Sequence, residues 1–398
     1  MPQTVIVSYA RTPIGRAYKG AFHDTPAQTL AGHAIEHAVQ RGDLEPEEID
    51  DVILGTALQQ GSQSMNLARQ AALRAGLPVS VPGMTLDRQC ASGLIAVAVG
   101  ANMIGSGDAQ IVVAGGAESV SLVQNQHFNA HRAQDPWLKT HVPGLYHSML
   151  ETAELVANRY GISREAQDLY TAESQRRTAA AQQRGAFDAE IVPLPPQQPH
   201  QHDHRRTSEL QTLTQDEGNR PTTSTARLAK LPPVLDPNLQ NPGSFSVTAG
   251  NASQLSDGAA ALVLMDADEA SRRNLEPLGL FHGVAVTGCA PEEMGIGPVA
   301  AVSKLLNHHR LDISDIDLWE LNEAFASQTL YCRDTLGIDP ERLNVNGGAI
   351  SIGHPYGMSG ARMSGHALLA TRERAGKYAV VTMCIGGGMG AAGLFEAF

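Results

Sequence analysis

A chain of 398 residues exceeds one ordinary core, and 42% hydrophobic with 18% charged content describes a globular protein of two or three subdomains. The formal charge of −12 argues against a surface for nucleic acid or anionic membrane, and 5% aromatic residues leave little with which to stack single strands. A phosphorylated ligand stays open, because a few Arg or Lys side chains suffice to build a local positive pocket.

Met1-Pro2-Gln3 leads directly into the strand-like run Val5-Ile6-Val7, without the basic-then-apolar pattern of a signal segment. No window reaches the roughly 18 consecutive apolar residues of a membrane span. Thr25 followed by Pro26 predicts a helix start, and Gly42 closes it. Leu30, Ala31, Ala34, Ile35, Ala38 and Val39 share one face of that helix. A run at Val52-Ile53-Leu54 follows, then a helix over 66–75 ended by Gly76, then a strand before Asp87. A helix rich in Ala, Val and Ile comes after Cys90, and Ile111-Val112-Val113 runs to Gly115-Gly116. Strands alternating with helices predict an α/β core.

The last third repeats this order. Leu44, Ile49 and Asp50 recur as Leu311, Ile316 and Asp317, each 267 residues on, and Ser92-Gly93 recurs as Ser359-Gly360 at the same offset. Gly55 pairs with Asn322 and Cys90 with Gly357. The run at 111–116 resembles 380–384 at a slightly larger shift. Two similar halves are expected, a first over 1–120 and a second over 251–398. The stretch 121–250 between them mixes helical segments (153–160, 164–184) with Pro-rich and polar ones, as an inserted loop domain does.

The four cysteines, Cys90, Cys289, Cys332 and Cys384, form no C-x-x-C pair and no disulfide framework, so a reducing, cytoplasmic setting is expected. Cys90 follows a predicted strand and opens a helix. A free cysteine is ordinarily a small buried hydrophobe, but the positive end of a helix favours a thiolate and offers N–H groups to an oxyanion. Cys384 ends a predicted strand before Gly386, Gly387, Gly388 and Gly390, where backbone can approach a ligand closely. That run is neither a dinucleotide fingerprint nor a Walker loop. His354 lies on a Gly/Pro loop before a helix and could polarise a thiol or carbonyl. Asn322 could hold a water or carbonyl oxygen, or equally cap the helix that begins near Ala324. The cluster His200-Gln201-His202-Asp203-His204 reads as a solvated loop rather than a zinc site, and no metal is expected. Cys289 and Cys332 read as packing residues.

Cys90-Ala91-Ser92-Gly93, Asn322-Glu323-Ala324-Phe325, the run Gly353-His354-Pro355-Tyr356-Gly357-Met358-Ser359-Gly360 and Cys384-Ile385-Gly386-Gly387-Gly388 together resemble the four active-site motifs of the thiolase family, in family order. Residues 247–253 and 294–298 add two further matches, so the resemblance spans essentially the whole chain. It implies a five-layered αβαβα fold of two similar halves with an inserted CoA-binding loop domain, and a homodimer or a tetramer made of two dimers. The implied activity is acyl transfer between acyl-CoA and acetyl-CoA, as condensation of short acyl-CoAs or as thiolysis of 3-ketoacyl-CoA. Cys90 would carry the acyl group, His354 would take its proton, and Cys384 would exchange the α-carbon proton. Asn322 with His354, and the N–H groups of Cys90 and Gly386, would form two oxyanion holes. Arg220 and Ser253 would contact CoA, and Met149 and Met294 would line the acyl pocket. Coenzyme A and acyl-CoA enter as substrates, with no permanently bound cofactor. The alternatives are a ketosynthase-like condensing enzyme, against which the Cys-x-Gly setting of Cys384 argues, and a catalytically weak CoA- or lipid-binding relative.

Two positions depart from the family's common pattern. Asp87 replaces an Asn three residues before Cys90, and an ionised carboxylate there would disfavour a thiolate unless turned away or paired, as with Arg88. Leu150 replaces a usual Gly near the pocket.

Overall fold

The computed structural model describes residues 3–195, 212–235 and 245–398. In chain order the main elements are β1 (Thr4–Arg11), α1 (Ala27–Arg41), β2 (Asp51–Gly55), α2 (Leu67–Arg74), β3 (Met84–Leu86), α3 (Ser92–Ser106) and β4 (Ile111–Ser119). The intervening stretch carries α4 (Met149–Arg159) and α5 (Arg164–Gln183). Then follow β5 (Ser256–Asp266), β6 (Gly279–Gly288), α6 (Gly297–His309), β7 (Leu318–Leu321), α7 (Ala326–Leu336), α8 (Tyr356–Glu373), β8 (Tyr378–Ile385) and β9 (Met389–Ala397).

The strands run in the order β3-β2-β4-β5-β1, then β6-β9-β8-β7. The two sets meet through a short antiparallel contact, Val5 opposite Leu280 and Ile6 opposite Gly279. Leu343, bridged to Trp319, stands where β3 stands in the first half. Side chains alternate along each strand, so each set feeds two cores. Val52, Leu54 and Val113 pack outward against α1 and α2. Trp319, Leu321 and Val380 pack outward against α6 and α7. Ile53, Val112, Ala379 and Val381 turn inward onto α3 and α8, which lie side by side between the two sets. Helices, strands, helices, strands and helices make the five expected layers.

The offset of 267 is built into the hydrogen bonding. In the first half Asp50 Oδ2 accepts from the N–H groups of Gln110 (2.7 Å) and Ile111 (2.9 Å). In the second, Asp317 Oδ2 accepts from Lys377 (2.7 Å) and Tyr378 (3.1 Å), each partner 267 positions later. The reciprocal caps Glu45–Glu48 and Asp312–Asp315 repeat likewise. Strand register agrees, with Asp51 opposite Val112 and Leu318 opposite Ala379. The larger shift expected for the last strand is therefore corrected: Tyr378, not Val380, is the counterpart of Ile111.

Two further expectations change. β5 lies between β4 and β1, antiparallel to both, so the first half resumes after the insertion and extends through Asp266 rather than ending at 120. The return strand could not be recognised without its pairing partners. Thr25 does not cap α1: Pro26 takes the N-cap position and the buried Thr25 hydroxyl has no partner among the described residues. The window Gln89–Ser106 is long and apolar enough, at a mean hydropathy of 1.3, to cross a membrane, but it is the helix at the centre of this core and is mostly buried.

Glycine makes the central contact possible. A Cβ on Gly93 would lie 2.5 Å from Gly357 O and 2.7 Å from Ala361 N, and one on Gly360 2.3 Å from Leu94 N. These are backbone atoms that cannot rotate away. Gly93→Ala should cost about 3 kcal/mol of stability, read as a lower denaturant midpoint. Gly105→Ala, in the same helix with nothing within 4 Å of its Cβ, should leave the midpoint unchanged or slightly raised.

Candidate active site

Residues 89–91 make one tight turn ahead of α3. Gln89 is held in the left-handed region at φ +48°. Its N–H donates to Asp87 Oδ1 at 2.5 Å, while Ser92 Oγ donates to Gln89 O at 2.7 Å and accepts from Arg88 N–H at 2.8 Å. Asp87 therefore spends its carboxylate on the turn, and the suggested ion pair with Arg88 is not made. Among the charges that raise the proton affinity of Cys90, that of Glu118 outweighs that of Asp87.

The Cys90 thiol faces the Gly386 N–H, which favours its ionised form, yet burial dominates and pushes the thiol up to about 12. Gly386 opens the three-residue turn between β8 and β9, where Gly387 and Gly388 adopt φ of +85° and +83°. A Cβ on Gly386 would stand 3.9 Å from Gln89 and from Met149 Sδ, ordinary van der Waals contact, which places both side chains beside the Gly386 turn. Cys384, two residues before Gly386, is 1% exposed inside an apolar pocket of Ala153, Val247, Met294, Ala324 and Phe325. Leu150 and Ala252 pack against that pocket. Burial, and then the neighbouring Cys90 charge, raise the Cys384 thiol well above its ordinary value.

His354 is buried two residues before α8, as Cys90 stands two before α3. Ser359 Oγ donates to Pro355 O (3.0 Å), so it accepts from His354 Nδ1–H at 2.6 Å. That leaves the Nε2 lone pair to accept from Asn322 Nδ2 at 3.2 Å. Burial, assisted by the Arg362 charge, lowers the imidazole to about 3. Burial thus favours the uncharged form of the Cys90 thiol and of the His354 imidazole alike. Alkylation of Cys90 in unliganded protein should rise about tenfold per pH unit from 7 to 10. Mass-spectrometric rates of iodoacetamide labelling check this, and a plateau below pH 8 would show a preformed ion pair instead.

Asn322 is not a helix cap, since α7 begins at Ala326 behind Phe325. Its buried Oδ1 has no partner among the described residues and is available to accept a hydrogen bond. Two carboxylates unnoticed in the sequence hold this frame. Glu323 accepts from Tyr170 Oη (2.7 Å) and Ser174 Oγ (2.8 Å) of α5, and from Ile350 N–H (3.1 Å). Glu118 accepts from Gly357 N–H (2.8 Å), Ala57 N–H (2.9 Å) and Gln63 Nε2 (2.6 Å). Their only sequence signal was an acid at the end of an apolar strand. Tyr356 meets the His354 ring edge-on at 5.2 Å and donates to Gln124 Oε1 at 3.0 Å.

The candidate CoA contacts are less convergent. Ser253 N–H donates to Ala324 O (3.0 Å), beside Asn322, whereas the Arg220 side chain is exposed and its backbone is held by Gln175 Oε1 on the N–H (2.7 Å) and Thr223 N–H on the carbonyl (3.0 Å). The segment 200–204 lies outside the described residues. Cys332 is a packing residue, fully buried with its Sγ 3.3 Å from Gly295 O.

Residues 4–268 match the family model described as thiolase, N-terminal domain, and 275–397 the one described as thiolase, C-terminal domain. The chain is 42% identical over 398 residues to a 3-ketoacyl-CoA thiolase of Bacillus subtilis, covering all of both chains. It is 40% identical over 409 residues, again over both whole chains, to a probable acetyl-CoA acyltransferase of Staphylococcus aureus. Among solved structures, the acetyl-CoA acetyltransferase of Bacillus anthracis superposes with a TM-score of 0.88 at 36% identity, over 100% of this chain and 99% of that one. Human mitochondrial 3-ketoacyl-CoA thiolase in complex with CoA gives 0.87 at 38% identity, over 100% and 98%.

Proposed function

The chain belongs to the thiolase family and is an acyltransferase, and from that premise we propose that it exchanges acyl groups between acyl-CoA and acetyl-CoA through a thioester on Cys90. The observation that carries this reading is the pair of unlike thiols flanking Gly386: Cys90 against the Gly386 N–H, and Cys384 within its apolar pocket and within the field of Cys90.

In thiolysis, His354 Nε2 takes the Cys90 proton as Sγ attacks the 3-keto carbonyl of the substrate. The neutral resting pair suits transfer in concert with attack, because a separated ion pair would be costly in this buried place. The imidazolium N–H, with a water on Asn322 Oδ1, steadies one developing oxyanion, and the N–H groups of Cys90 and Gly386 steady the other. Breaking the C2–C3 bond releases an enolate that Cys384 protonates, leaving the acyl group on Cys90. The thiol of CoA then collects that acyl group. Condensation runs the same steps backwards, with Cys384 removing the α-proton. Two sequential transfers through one sulfur make the kinetics ping-pong.

Met149 and Met294 line the acyl pocket, and the insertion, with Arg220 and Ser253, receives CoA. The protein acts in the cytoplasm as a homodimer or a tetramer. A dimer finds support in β3, paired on one side only among the described residues, with Met65, Val79 and Met84 exposed at 87%, 81% and 41%. Assay of CoA-dependent cleavage of 3-ketoacyl-CoAs from C4 to C16 tests the activity. Turnover should be confined to part of that range, and folded protein inactive at every length would sink the proposal.

A further inference from the structure

The histidine-rich run at 200–204 is the conspicuous metal candidate in the sequence, yet a different set of donors converges in the fold. His33, Glu36 and His37 occupy positions i, i+3 and i+4 of α1, which puts all three on one face. One ligand atom from each lies within 4.8 Å of the others. The opposite face, with Leu30, Ala31, Ala34, Ile35 and Ala38 buried against the first sheet and α2, keeps the helix in place.

Three observations go beyond spacing. His33 Nε2 is enclosed and has no hydrogen-bond partner among the described residues, an arrangement that costs stability unless something occupies the lone pair. The His33 and His37 rings meet at 4.5 Å and 72°, too oblique to stack. The backbone carbonyls of Val192 and Pro193 lie beside His33, where they can take the second ring N–H, as outer partners of metal-bound imidazoles do. Glu36 is exposed and, among the described residues, receives only a 3.4 Å contact from Gln40, leaving it free to swing inward.

We propose that His33, Glu36 and His37 form a binding site for a borderline divalent transition-metal ion, Zn2+ or Ni2+, with water completing its coordination. Two neutral imidazoles and one carboxylate suit such ions, whereas Mg2+ and Ca2+ prefer oxygen donors alone. The ion acts as a staple on α1 and takes no part in acyl transfer, for none of the three residues touches Cys90, His354 or Cys384.

The test uses the full chain, stripped with chelator and with its cysteines blocked by alkylation, titrated with Zn2+ and with Ni2+ by calorimetry. Wild-type protein should bind one ion saturably and gain thermal stability. His37→Ala and Glu36→Gln should each weaken that binding by about tenfold or more and lose the gain in Tm. Both unblocked variants should keep wild-type turnover, which separates this site from the acyltransfer reading. An isotherm unchanged in His37→Ala, or one abolished only by replacing the histidines at 200, 202 and 204, overturns the proposal, as does the absence of saturable binding.

Discussion

Cys90→Ser should lower kcat/KM for thiolysis by at least about 10³-fold while leaving the fold intact. Oxygen replaces sulfur in the same turn, so the contacts of Gln89, Ser92 and Asp87 survive. What changes is nucleophilicity: a serine hydroxyl is harder to ionise than a thiol, and His354, lowered to about 3, is too weak a base to compensate. A factor of 10³ is about 4 kcal/mol of transition-state stabilisation. Steady-state thiolysis beside a thermal melt decides the matter. Undiminished turnover in a folded variant would remove Cys90 from the role of nucleophile.

Cys384→Ala separates the two halves of the reaction. The acyl-enzyme should still form on Cys90, because its thiol, the Gly386 N–H and His354 remain. Condensation should fall by about 10²–10⁴-fold, since nothing else in the pocket of Ala153, Val247, Met294, Ala324 and Phe325 can exchange a proton. A radiolabelled acyl donor reports the first step and product release the second. Loss of labelling together with condensation would mean that Cys384 supports the nucleophile rather than the α-carbon. The substitution removes one sulfur from a site that is 1% exposed, so a modest loss of stability, about 1–2 kcal/mol, is also expected.

Much of the architecture was legible beforehand because it is written twice. A sequence repeat at 267 announces two similar halves, and the paired roles of Asp50 and Asp317 explain why those residues recur: each bonds two N–H groups where a strand begins. The return strand β5 was missed because nothing local distinguishes an antiparallel strand that rejoins an earlier sheet from one that starts a new domain. Among the site residues, Cys90, His354, Cys384 and Asn322 stood out by their Gly-rich or strand-end settings. Glu118 and Glu323 did not, since their partners, Gly357 for the one and Tyr170 and Ser174 for the other, lie far away in sequence and leave no local pattern.

The chain by itself determined the periodicities, the duplicated α/β unit and the chemical types of the two cysteines and the histidine, all properties of neighbours in sequence. Only the tertiary structure decided their protonation. Burial raises the Cys90 thiol to about 12 against the favourable Gly386 N–H and lowers His354 to about 3. The Ser359–Pro355 hydrogen bond selects the tautomer that leaves Nε2 unprotonated. At a helix start, which favours a thiolate, burial instead holds the Cys90 proton in place. The charge a group carries depends on the solvent and dipoles that the whole fold removes from it or supplies.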